Sequence, residues 1–116
     1  MARPSIQRSV RITNRLSSKI LIVHCASKDD DLGAHAVAIG ATFEWSFEPK
    51  PVWGGTLFWC HLATEDKRLS FVAYEQGKLN RYSYWVVHDD GVYGEQVAIT
   101  TELLVRPWRR ILLDGF

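Results

Sequence analysis

Three consecutive carboxylates, Asp29, Asp30 and Asp31, followed closely by Gly33, are the first residues that invite a chemical reading. Hard cations such as calcium take oxygen ligands of this kind. The spacing is wrong for a helix–loop–helix calcium site, whose ligands alternate, whose sixth residue is Gly and whose loop closes on a Glu. Consecutive side chains in an extended loop point apart. We therefore read Asp29, Asp30, Asp31 and Gly33 as a structural, Asx-rich turn whose carboxylates accept backbone N–H groups, with no metal assigned.

The histidines are His24, His35, His61 and His88, and the cysteines are Cys25 and Cys60. His24 adjoins Cys25 and His61 adjoins Cys60, so on neighbouring strands both imidazoles fall on the face opposite the sulfurs. A Cys–His nucleophile needs the two groups in contact, which this adjacency opposes. A two-His metal site lacks a third ligand, and we read these histidines as structural. No Gly-x-Ser-x-Gly elbow, His-Glu-x-x-His motif or phosphate-binding Gly loop occurs. Carboxylates paired for glycoside cleavage require a measured separation. No catalytic residue and no cofactor is assigned. Two cysteines cannot build a structural zinc site unaided; residue type leaves open one disulfide in an oxidising compartment or two buried thiols. Trp53-Gly54-Gly55 could stack on a sugar or a partner, or cap the core.

The elements that position these residues read as strands. In residues 42–48, Phe43, Trp45 and Phe47 share one face and Thr42, Glu44, Ser46 and Glu48 the other, until Pro49 and Pro51 end the ladder. Residues 19–25 and 56–62 are apolar on both faces, which predicts strands buried by two layers. Further strands are expected at 10–13, 35–39, 68–74, 82–87, 92–96 and 103–108. Asp89-Asp90-Gly91 between two apolar runs signals a hairpin. Only residues 102–113 carry a helical alternative, with Pro107 inside it. Strands at about ten-residue spacing predict a sandwich or barrel.

A length of 116 residues suits one domain with a real core. Charged residues at 23% against 47% hydrophobic exclude a disordered chain. A formal net charge of +1 removes any bulk reason to bind nucleic acid or anionic membrane, so the basic clusters at Arg3, Arg8, Arg11, Arg15 and at Arg106, Arg109, Arg110 read as solvated charge. The longest apolar run, Ile20-Leu21-Ile22-Val23, is far short of the roughly 18 residues of a membrane helix. The first residues are polar and contain Pro4, so a secreted form would already have lost its leader.

Four ordered blocks resemble the plant self-incompatibility S1 family. They are Val23-His24-Cys25-Ala26-Ser27-Lys28-Asp29-Asp30-Asp31-Leu32-Gly33, then Gly40 with Phe43-Glu44-Trp45-Ser46-Phe47, then Thr56-Leu57-Phe58-Trp59-Cys60, then Trp85 with Asp90-Gly91-Val92-Tyr93. Val10-Arg11-Ile12-Thr13-Asn14 resembles the usual opening, and Trp108 sits where many members end. The resemblance implies a small secreted β-sandwich acting as a non-enzymatic ligand, read by a membrane protein on a target cell. Typical members carry four cysteines, the last two shortly before the Trp. Here Ser83 stands two before Trp85, and no Cys lies between Cys60 and Trp85. Joint loss implies that the missing pair bonded to each other, leaving Cys25 bonded to Cys60; early-with-late pairing would instead orphan both.

We expect an all-β, antiparallel sandwich of about seven to nine strands, immunoglobulin-like in size. Residues 10–110 form the domain, 1–9 a disordered N-terminal segment and 111–116 a tail. Its core should include Ile12, Leu21, Val23, Phe43, Trp45, Phe47, Phe58, Phe71, Trp85 and Val87. The expected partner is a cell-surface receptor protein, with no nucleic acid, no membrane insertion and a monomeric state. The expected contacts lie on the polar loops 49–55, 64–68 and 76–81, through Trp53, Gly54, Glu65, Lys67, Gln76, Lys78 and Arg81. The rival readings are a carbohydrate-binding module stacking sugars on Trp53 or Trp59, a small hydrolase, and calcium at Asp29 to Asp31.

Overall fold

Every second side chain of strand β1 (Arg8–Asn14) turns inward: Val10, Ile12 and Asn14 are fully buried, while Arg11 is exposed. β1 opens the domain in a computed structural model that describes residues 7–49, 55–77, 83–96 and 99–110. It is followed by β2 (Leu21–Ala26), β3 (Asp31–Val37), β4 (Thr42–Phe47), β5 (Leu57–Ala63), β6 (Lys67–Glu75), β7 (Tyr84–His88), β8 (Gly91–Gln96), β9 (Ile99–Pro107) and the two-residue β10 (Arg109–Arg110). Two five-stranded sheets result, ordered β4-β1-β7-β8-β9 and β10-β6-β5-β2-β3. They enclose one core, built from alternate residues of each inner face. Each large apolar side chain buried there contributes roughly 1.5–3 kcal/mol.

The sandwich is antiparallel except that β1 and β7 run parallel, Ile12 opposite Trp85. Between them the chain passes through the other sheet, which leaves the direction of β7's return free. The hairpin at Asp89-Asp90 joins β7 to β8. A Cβ on Gly91 would run into the carbonyl oxygen of Arg106 and come within 2.8 Å of the Pro107 Cα, so β9 lies against bare backbone there. Residues 102–107 are strand, not helix.

β2 and β5 are buried on one face only. Leu21, Val23, Cys25, Phe58, Cys60 and Leu62 point into the core, but Ile22 is exposed, and Trp59 is half-buried on the outer face. Among the described residues no second layer covers that side. Phe43, Trp45 and Phe47 point inward yet remain half-buried, because β4 is an edge strand. The outer face of the β1–β4 pair is held by polar partners: Ser9 with Ser46 at 3.1 Å, Thr13 with Thr42 at 2.8 Å, and an Arg11–Glu44 ion pair.

A bulge between β5 and β6 places Phe58 opposite Tyr74 and Trp59 opposite Val72, so Ala73 has no register partner. Its carbonyl accepts the indole N–H of Trp85 from the facing sheet at 3.2 Å, while the Trp85 ring meets Phe71 edge-on at 4.8 Å. The registers leave two loop-bearing ends. At one, Asn14 donates to the Lys19 and Val37 carbonyls at 3.0 and 2.9 Å and accepts from the Leu16 N–H at 2.9 Å. At the other lie the turn 27–30 and the strand ends around Glu48, Thr56 and Gln76.

Candidate functional site

The turn after β2 is closed from within. The Ser27 N–H donates to the Asp30 carbonyl at 2.7 Å, and the Asp30 N–H donates to the Ser27 hydroxyl at 3.1 Å. Asp31 then enters β3, and its carboxylate accepts the Gly33 N–H at 2.9 Å and meets His24 Nε2 at 2.6 Å. The first of these bonds, then the second, holds the Asp31 carboxyl below its ordinary range. Gly33 adopts φ +77°, a left-handed conformation that costs Gly little, where the β2–β3 register shifts by a bulge.

This turn faces the end of β4 and the start of β5 across a cleft of about 200 Å³. Its walls are residues 27–30, Phe47 with Glu48, and residues 55–58. Phe47, Leu57 and Phe58 supply an apolar floor, and Phe47 packs on Phe58 at 4.8 Å and edge-on to Tyr74 at 4.7 Å. The rim is charged: Lys28, Asp29, Asp30 and Glu48 are all exposed. Cys25, two residues before the turn, is bonded to Cys60, two residues beyond Phe58. The bridge joins directly opposed positions on β2 and β5, with Cα atoms 4.0 Å apart, and ties both walls together.

A second depression, of about 430 Å³, lies at the Asn14 end between Arg15, His88, Asp89, Asp90 and Tyr93. It is larger but open, and four of its five lining side chains already have partners. The Tyr93 hydroxyl donates to Asp90 at 2.5 Å, Asp89 accepts the Ser17 N–H at 3.1 Å, and His88 meets Tyr93 edge-on. These bonds brace the hairpin, so the smaller cleft is the better candidate.

Residue types associated with hydrolysis occur on β2, β3, β5 and β6, divided into two pairs. His24 is bonded to Asp31, and His61, directly opposite His24, is bonded through Nδ1 to the Ser70 hydroxyl at 2.6 Å. Neither pair lines either cleft. Among the described residues, no three His, Cys, Asp or Glu side chains are grouped to hold a metal.

The loop residues expected to meet a partner are divided between the two ends. Glu65 and Lys67 lie at the Asn14 end, Glu65 in an ion pair with Lys19 and Lys67 3.3 Å from the Asp89 carbonyl. Gln76 lies at the cleft end, where its side-chain oxygen accepts the Thr56 N–H at 2.8 Å and its backbone N–H donates to the Thr56 carbonyl. Trp53, Gly54, Lys78 and Arg81 lie outside the described residues. The sequence pattern places Phe47 in the core and Glu48 on the polar face of its strand and gives Lys28 no role of its own, so none of the three is marked as a site residue. The signal that could have found them is a strand ending in Phe-Glu-Pro that must close near the acidic turn.

The family described as plant self-incompatibility protein S1 has a model matching residues 9–108. S-protein homolog 8 of Arabidopsis thaliana is 36% identical over 100 residues, covering 75% of this chain and 70% of its own length. S-protein homolog 21 of the same plant is 37% identical over 95 residues, covering 73% and 71%. For S-protein homolog 5, at 36% identity over 66 residues, the match covers 57% of this chain and 51% of the relative.

Proposed function

The chain belongs to the plant self-incompatibility protein S1 family, and on that premise we propose that it is a secreted, non-enzymatic recognition ligand. It acts as a monomer and presents its cleft end to a receptor protein on the surface of a target cell. The observation that carries this reading is the convergence of the turn 27–30 with the ends of β4 and β5 around a floored, charged cleft. A buried disulfide that closes a 35-residue excursion suits an oxidising, extracellular setting. The division of the His, Ser and Asp groups into two pairs on an open sheet face supports a binding role over hydrolysis.

The test is saturable binding of labelled, folded protein to plant protoplasts and pollen tubes, before and after mild protease treatment of the cells. Binding should be saturable and protease-sensitive. It should fall when residues 27–30 are replaced by a Gly-Ser turn and persist when residues 64–66 are replaced in the same way. Binding that ignores both replacements, or that survives protease, would sink the reading. Half-buried Trp59, facing outward beside Val72, supports one competitor, a carbohydrate-binding face. That competitor predicts displacement by free glycans and loss on Trp59→Ala.

A further inference from the structure

We propose that the cleft beside the turn 27–30 receives an extended peptide segment carrying one apolar side chain flanked by Lys or Arg. The inference rests on the receptor reading of the same end and names the chemistry that this end would recognise.

Size sets the first limit. Small-molecule sites generally run to about 300–1,000 Å³. A cleft of about 200 Å³ falls below that range and suits one or two side chains. The floor sets the second. Phe47 and Leu57 are half-buried and Phe58 is buried, so an aliphatic or aromatic side chain entering there covers apolar surface that is now partly wet. The rim sets the third. Among the described residues that line the cleft, the carboxylates Asp29, Asp30 and Glu48 outnumber the one ammonium, Lys28, on a chain whose formal net charge is +1. That rim disfavours an acidic segment and steers a basic one. The sheet order adds access, because β4 and β3, which flank this end, are both edge strands.

The experiment uses the whole disulfide-bonded chain and three nonapeptides, with Lys-Leu-Lys, Glu-Leu-Glu or Lys-Ala-Lys at the centre of a Gly-Ser frame. Backbone amide shifts map the contact, and fluorescence anisotropy gives affinity at low and high salt. The Lys-Leu-Lys peptide should shift residues 27–30, 47–48 and 55–58 and leave 64–66 and 89–90 still. Asp30→Asn with Glu48→Gln, both at exposed positions, should weaken it about five- to tenfold, the size expected for two surface charge pairs. Lys-Ala-Lys should bind more weakly, since it leaves the floor uncovered. Equal binding of Glu-Leu-Glu, shifts elsewhere on the molecule, or indifference to the double variant would overturn the proposal. The two readings fail separately. Cell binding that needs residues 27–30 but ignores the Lys-Leu-Lys peptide as competitor removes this chemistry and keeps the receptor. Peptide binding in the cleft without any cell binding keeps this chemistry and removes the receptor.

Discussion

Replacing Asn14 by Ala should be among the most damaging single changes in the domain, although Asn14 lies far from the cleft. The residue is fully buried at the end of β1, and its amide makes three bonds, two to the β1–β2 loop and one to the end of β3. Ala keeps the two backbone bonds, from Asn14 N–H to the Ala41 carbonyl and from Gly40 N–H to the Asn14 carbonyl. It removes the side-chain partners of Val37, Lys19 and Leu16. A buried group left unpaired costs about 1–3 kcal/mol. The Val37 and Leu16 groups carry that in full and the part-buried Lys19 carbonyl less, for a total of about 3–5 kcal/mol. That is a large share of the roughly 5–15 kcal/mol by which such domains are stable. Urea unfolding followed by tryptophan fluorescence, with the disulfide intact in both proteins, reads the difference directly. Asn14→Asp sharpens the test, since it keeps an acceptor for Leu16 but turns a carboxylate towards two carbonyls; it should be no better than Ala at neutral pH. An Asn14→Ala variant within about 1 kcal/mol of the parent would show that the loops hold their conformation without the amide, and the reasoning would fail.

Three further outcomes are expected. Joint Cys25→Ala and Cys60→Ala substitution should cost about 4 kcal/mol in the same assay, from the chain entropy released over a 35-residue separation, and a loss under about 1 kcal/mol would count against it. Trp85→Phe should be more damaging than Trp45→Phe by about 1–3 kcal/mol, because Trp85 satisfies the Ala73 carbonyl while the buried Trp45 indole N–H has no partner among the described residues; equal losses would refute that. The Asp89 carboxyl is held below its ordinary range chiefly by the Ser17 N–H, and Asp31 by the Gly33 N–H. Depressed carboxyls contribute stability that is present above an unfolded value near 3.9 and is lost as pH falls through the folded value. Asp89→Asn and Asp31→Asn should therefore flatten the stability profile below about pH 4, and profiles parallel to the parent's would contradict the assignment.

Much of the strand pattern was legible because alternation is written into neighbouring residues. The 42–48 run and the Asp89-Asp90 hairpin are found where local pattern puts them. Pairing partners are not local, so the parallel contact of β1 with β7 had no signature. Two-sided burial of β2 and β5 was expected from Ile22 and Trp59, but apolar type alone does not say whether a second layer covers a face. Phe43, Trp45 and Phe47 face the core as read, yet edge position leaves them half-buried. Asn14 lies just past the strand expected at 10–13, and its three bonds depend on segments separated by up to 23 residues, which local pattern does not reveal. For the site, loop composition drew attention to three segments, whereas topology assigns Glu65 and Lys67 to one end and Gln76 to the other.

The Cys25–Cys60 disulfide bears on the cleft more than on the core around it. Cys25 leads into one wall and Cys60 follows the other, so a single covalent link limits how far residues 27–30 can move from residues 55–58. Core packing would still surround the site if both cysteines were replaced by alanine, since Val23, Leu62 and Phe71 remain in place. The effect of removing the bridge should then be uneven. In the Cys25→Ala, Cys60→Ala protein, under conditions where it stays folded, amide exchange should quicken at the walls of the cleft and hold steady at 64–66 and 89–90, which are braced by Thr64, Asp89 and Trp108 at the other end. Uniform quickening at both ends would mean that the bridge stabilises the domain as a whole and does not shape the cleft.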